Sequence, residues 1–146
     1  MAEAAATSIK PATINAVVAM VHVADVERSA EFYRLLGFEI GNYVPRDCPP
    51  PMQWAWLYQP KAPNWKHGAN LMLVRDSRPN PQDREEPHVL FYLYAHDLKG
   101  LRVELVAKGL KPGEIEYPEY LPQGEFCLHD PDGYLLMIGQ SYEQSP

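Results

Sequence analysis

Hydrophobic and polar positions follow two periods along the chain. From Ile14 to Ala24 the sequence is β-branched and apolar, which predicts a buried strand that stops at Asp25. Ala30, Phe32, Tyr33, Leu36 and Phe38 then recur at helical spacing. Asp25 is placed to accept from the first free amides, and Gly37 to end the helix in the left-handed region. Residues 38–44 read as a strand, and Pro45, Pro49, Pro50 and Pro51 break it. Met52 to Tyr58 alternates, which puts Trp54 and Trp56 on one strand face. A second Pro-containing loop (59–68) precedes a strand over 70–74, and 75–87 is a charged linker.

The same order then recurs. A strand over 88–94, a cap at Asp97, a helix over 98–108 and Gly109 repeat the first copy at an offset of 72 residues. Strands follow over 114–117, 124–129 and 134–140, the last two joined by Asp130-Pro131-Asp132-Gly133, a turn signal. An internal repeat of this length marks a duplicated unit whose copies bury their apolar faces together. The expectation is an α+β chain with the order βαβββ twice. Its single domain spans 14–140: module one 14–75, linker 76–87, module two 88–140, and tails at 1–13 and 141–146.

Composition narrows the partners. The chain has 146 residues, 46% of them hydrophobic, and a net charge of −6. Its 13 basic residues are scattered, which argues against nucleic acid as a partner. No signal-like or membrane-length apolar run occurs, so a cytoplasmic protein without a membrane partner is expected. Cys48 and Cys127 are expected to be free thiols. No Gly-rich phosphate loop or nucleophile elbow is present.

The segments Val23-Ala24-Asp25-Val26-Glu27-Arg28-Ser29-Ala30-Glu31-Phe32-Tyr33, Leu36-Gly37-Phe38 and Asp130-Pro131-Asp132-Gly133-Tyr134 resemble the vicinal oxygen chelate superfamily. That group contains glyoxalase I, extradiol dioxygenases and bleomycin-binding resistance proteins. The resemblance implies two βαβββ modules that curl into an open eight-stranded barrel-like cleft, often completed by dimerisation. It also implies where metal-dependent members carry His, Gln or Glu ligands: here at Val18, Met72, Leu90 (or Phe91 if a bulge shifts register) and Met137. Hydrocarbon has no lone pair and thioether is too soft for these ions, so no metal and no cofactor are expected.

With those four positions turned inward, alternation brings Met20, His22, Asn70, Val74, His88 and Tyr92 to the same lining, and Trp54 and Trp56 join from the third strand. The expected ligand-binding set is therefore Val18, Met20, His22, Trp54, Trp56, Met72, Leu90, Tyr92 and Met137. Such a lining suits an apolar or aromatic small molecule, although Met and Trp on one strand face also serve as ordinary core. The expected function is metal-free small-molecule binding by a homodimer resembling the bleomycin-resistance branch. Two alternatives stand beside it. One is a glyoxalase- or dioxygenase-like lyase or isomerase with an atypical metal set or His22 as acid/base; the other is an accessory module packing a partner chain.

Overall fold

The computed structural model describes residues 14, 16–45, 51–64, 67–77, 79 and 90–141. Cys48, Trp65 and His88 lie outside them, as does most of the expected linker. The element order is β1 (Met20–Val23), α1 (Val26–Arg34), β2 (Glu39–Val44), β3 (Trp54–Tyr58), β4 (Asn70–Arg75), β5 (Phe91–Ala95), α2 (Leu98–Ala107), β6 (Glu125–His129) and β7 (Leu135–Gln140). Among the described residues, two helices and two mixed sheets form the α+β fold that the pattern predicts.

The helix ends repeat in detail. Asp25 Oδ1 accepts from Arg28 N at 3.0 Å, and Asp97 Oδ1 accepts from Gly100 N at 3.0 Å. At the other ends Gly37 and Gly109 take φ of 95° and 89°, which an L side chain adopts only under strain. The amides that follow reach back five residues, Phe38 N to Tyr33 O at 3.2 Å and Leu110 N to Leu105 O at 3.0 Å. These are the outer bonds of two Schellman motifs.

The first sheet has the order β1-β4-β3-β2 and the second β5-β7-β6. In both, the strand before the helix lies parallel to the module's last strand, β1 beside β4 and β5 beside β7. Period-two alternation sends Val21, Val23, Ala55, Leu57, Leu71 and Leu73 of the first sheet, and Phe126, Leu128, Leu136 and Ile138 of the second, to the helix side. There they join Phe32, Tyr33, Leu98 and Leu105 in one buried cluster. Burial of these side chains is the main stabilising term, at about 1.5–3 kcal/mol each.

Two expectations need correction. The expected strand over 14–24 is confined to Met20–Val23. The expected strand over 114–117 is reduced to one isolated bridge, Glu116 to Glu125, so the sheets hold seven strands rather than eight among the described residues. The physical reason lies in the spacing of its bonds. Gly113 N reaches Cys127 O at 2.9 Å and Glu116 N reaches Glu125 O at 2.8 Å, three residues against two, which no regular ladder accommodates. Pro112 and Pro118 bracket the segment and supply no amides to extend it.

The Asp130-Pro131-Asp132-Gly133 turn does more than join β6 to β7. Asp132 reaches across to the start of α1, where Oδ1 accepts from Ala24 N and from Arg28 Nη2, both at 3.2 Å, and Oδ2 from Ser29 Oγ at 3.4 Å. Asp130 Oδ2 accepts from the Tyr33 hydroxyl at 2.9 Å, while its Oδ1 accepts from Asp132 N and Tyr134 N. The Tyr134 hydroxyl donates to His22 O at 2.8 Å. The second copy is thus locked onto the first through two carboxylates and two phenols.

Candidate functional site

The faces turned away from the helices carry the residues that sequence reasoning singled out. Across the first sheet, register aligns Met20, Met72, Trp56 and Asn42 in one row and His22, Val74, Trp54 and Val44 in the next. Val18, Trp54, Trp56 and Met72, with Ala16, line a hollow of about 390 Å³. Four of the expected lining residues therefore come together. Met20, which is 52% exposed, and His22 share their sheet face.

Leu90 and Tyr92 line a different hollow of about 360 Å³, with Val17, Ala19, Asn70 and Leu71 from the first module. Phe91, the alternative to Leu90, lies on the helix side of β5, paired in register with buried Leu136. Met137 sits in register between Tyr92 and Cys127 on the opposite face of the second sheet. The expected set thus divides between the two sheets. His88 falls outside the described residues.

Trp56 is held more firmly than strand alternation implies. Its Nε1 donates to Asn70 Oδ1 at 2.7 Å, and Asn70 Nδ2 donates to Gly68 O at 3.0 Å. The ring stacks on Tyr58 with centroids 5.1 Å apart and planes 18° from parallel. It also lies on the backbone of β2 at Gly41, where a Cβ would stand 2.5 Å from the indole. Gly41 sits at a register shift between Ile40 and Asn42, so the bulge and the missing side chain make room together. A partly buried indole needs a partner for its N–H; with Asn70 supplying it, the surface that Trp56 leaves open is apolar. The Asn70 and Gly41 contacts depend on strand pairing, and sequence reasoning missed them.

His22 has a partner of its own. Its Nδ1 lies 2.9 Å from Asp76 Oδ2. A carboxylate only accepts, so the bond places the proton on Nδ1 and leaves Nε2 as the acceptor of the neutral ring. Asp76 is set just past β4 by its amide bond to Val23 O at 2.8 Å.

The second sheet's open face is treated differently. Leu121 folds over it and is buried, and Gly139 below is where a Cβ would stand 2.6 Å from the leucine. The buried carboxylate of Glu125 accepts from the hydroxyls of Tyr92 and of Tyr120, the latter at 2.8 Å. Desolvation and then the bond to Glu125 hold the Tyr92 phenol well above its usual range, so it remains a donor. Glu125 is therefore engaged by two tyrosines.

The residues at the metal positions do not fit a metal. Val18, Met72, Leu90 and Met137 supply no oxygen or imidazole donor. Among the described residues, no three His, Cys, Asp or Glu side chains come together as a metal site requires. Nor is any described helix long and apolar enough to cross a membrane.

Comparison with known proteins agrees with this architecture. The family model for the glyoxalase/bleomycin resistance protein/dioxygenase superfamily matches residues 13–138. Among curated proteins, none matches the chain in sequence. Among solved structures, a bleomycin-binding protein complexed with bleomycin is similar at 21% identity and a TM-score of 0.62, covering 88% of this chain and 100% of that one. The bleomycin resistance determinant encoded on the transposon Tn5 is similar at 20% identity and a TM-score of 0.61, covering 89% and 100%. TnmS3, an antibiotic binding protein from Streptomyces sp. CB03234, is similar at 22% identity and a TM-score of 0.62, covering 91% and 100%. With the family model spanning both copies of the repeat, and the same fold in these structures, the chain belongs to the glyoxalase/bleomycin resistance protein/dioxygenase superfamily.

Proposed function

We propose that this chain binds an apolar or aromatic small molecule on the open face of its first sheet, without a metal, in the manner of the antibiotic-binding members of its superfamily. The observation that carries the reading is the hollow bounded by Val18, Trp54, Trp56 and Met72, whose central indole is immobilised by Asn70 and Gly41. A rigid apolar wall loses little entropy when a planar ligand stacks on it. Met20 and His22 extend the wall along β1, while Leu90 and Tyr92 line a separate hollow and Met137 stays on the second sheet. Homodimerisation belongs to the same reading, because Met20, Val44, Tyr92 and Tyr94 are large side chains left exposed, as at an interaction surface.

A thermal-shift titration with naphthalene-2-carboxamide tests binding, since a ligand of the native state raises the melting temperature by mass action. Elemental analysis of the dialysed protein tests the metal-free part; stoichiometric nickel, zinc, manganese or iron would sink it. Sedimentation tests the dimer.

A second reading, a lyase or isomerase, is favoured by one observation. The contact between His22 and Asp76 orients an imidazole on the same sheet face, as a general base requires. Turnover of an α-hydroxy carbonyl or thiohemiacetal substrate, lost in His22→Gln with binding retained, would support it; no turnover by the wild type would end it.

A further inference from the structure

We infer a second binding subsite beside the first, across Trp56, which takes the hydrogen-bonding tail of an elongated ligand whose aromatic head occupies the hollow at Val18, Trp54 and Met72. This rests on the reading proposed above and adds the shape and chemistry of the ligand.

Two hollows share Trp56 as a common wall. Beyond the indole lies a space of about 470 Å³ bounded by Gly41, Tyr58, Gln59, Ala62, Pro63 and Asn64. Trp56 and Tyr58 cover residue 41, where any Cβ would stand 2.5 Å from the indole and 3.0 Å from the Tyr58 ring, so the two stacked rings form one side of this space. Among the described residues β2 is the outermost strand of its sheet, and Gly41 lies at the register shift opposite β3.

The far wall is a loop fixed at its root. Gln59 N donates to Ala69 O at 3.1 Å, Ala62 N to Gln59 O at 3.3 Å, and Lys61 N to Gln59 Oε1 at 3.0 Å. These bonds occupy the Gln59 acceptors and set Pro63 and Asn64 at the rim.

The chemistry of the two spaces differs. The first is walled by hydrocarbon, thioether and indole, with the indole N–H already spent on Asn70. The second adds a phenol hydroxyl from Tyr58 and a carboxamide from Asn64 to the apolar surface of Ala62 and Pro63. A flat aromatic head fits the first, and a peptide-like or amide-bearing tail fits the second, where the Tyr58 hydroxyl and the Asn64 carboxamide can pair with its N–H and C=O groups. A ligand filling only one space forgoes the contacts of the other.

The test compares two probes on the full chain. Naphthalene-2-carboxamide fills the first space alone, and N-(2-naphthoyl)-glycylglycinamide carries the same head with an amide tail. Affinities are read from calorimetry, and tail contact from the shift of the Gly41 amide in ¹H–¹⁵N spectra. The extended probe is expected to bind on the order of tenfold tighter and to move the Gly41 resonance, which the short probe leaves in place. In Pro63→Trp, which fills the second space from its exposed rim, the gain disappears while the short probe binds as before.

Equal affinity of the two probes for the wild type, or a gain that survives Pro63→Trp without movement at Gly41, overturns the subsite and leaves the first hollow standing. Failure of both probes to bind overturns the reading of the first hollow and the subsite with it. Because the wild-type comparison decides by itself, a variant that does not fold leaves the proposal falsifiable.

Discussion

The hydroxyl of Tyr33, on the helix of the first module, donates to Oδ2 of Asp130, in the turn of the second, at 2.9 Å across 97 residues of sequence. Tyr33 is 1% exposed and Asp130 is 5% exposed. Burial, and then the neighbouring carboxylate of Asp130, push the Tyr33 phenol far above its usual range, so it stays a donor. Burial likewise raises Asp130, against the three hydrogen bonds that favour its charged form.

Tyr33→Phe keeps the ring contacts with Phe32 and Phe38 and removes only the donor. One carboxylate oxygen of Asp130 is then buried without its partner, a cost of about 1–3 kcal/mol. At roughly 2–4 °C per kcal/mol for a chain of this size, the melting temperature falls by several degrees, which calorimetry reads directly. An unchanged melting temperature would remove this contact from the forces joining the modules.

Asp130→Asn tests the sign of the pH dependence. A carboxyl whose folded pKa is raised above the unfolded value adds stability that is fully present below the unfolded pKa and is lost as pH rises through the folded one. The amide can accept from Asp132 N and Tyr134 N through its oxygen while having no charge to desolvate. The stability of the variant relative to wild type should therefore rise with pH through the acidic range and level off once Asp130 has ionised. Urea unfolding from pH 3 to pH 8 measures it, and a relative stability that falls with pH would reverse the assignment.

Asp132→Ala strips the start of α1 of a carboxylate that serves Ala24 N, Arg28 and Ser29. The loss should be about 1–2 kcal/mol, comparable to deleting a helix cap. Arg28→Ala should cost less, under about 1 kcal/mol, because its side chain is half exposed and the ion pair is screened. Denaturant midpoints rank the two, and an Arg28 effect equal to that of Asp132 would show that the salt bridge, not the backbone amide, carries the contact.

Asn70→Leu keeps the size of the side chain and deletes the acceptor of the Trp56 N–H. The fold should persist while the indole loses its fixed orientation, so tryptophan anisotropy falls and naphthalene-2-carboxamide binds more weakly. Trp56→Ala should reduce affinity by about tenfold or more, as removal of an aromatic anchor does. Undiminished binding in Trp56→Ala would move the site away from the first sheet.

The duplicated caps and stops were legible in the sequence because their physics is local. Asp25 and Asp97 bond to amides three residues on, and Gly37 and Gly109 are needed wherever a helix ends with positive φ. The Trp54 and Trp56 face was equally readable, since side chains two apart on a strand share a side. The composition of the implied metal positions was plain from their residue types. Other features depended on elements far apart in the chain. Asp76 beside His22, Gly41 beneath Trp56, Asp130 beneath Tyr33 and the two tyrosines on Glu125 meet only when strands pair and modules dock. The eighth strand failed for a related reason. Its β propensity over 114–117 was local, but a ladder needs matched spacing on both strands, and only the tertiary pairing revealed the three-against-two mismatch with β6. The sequence by itself determined which residues face which way along each element; packing decided which of those faces meet, because contact across many tens of residues is set by the docking of whole sheets.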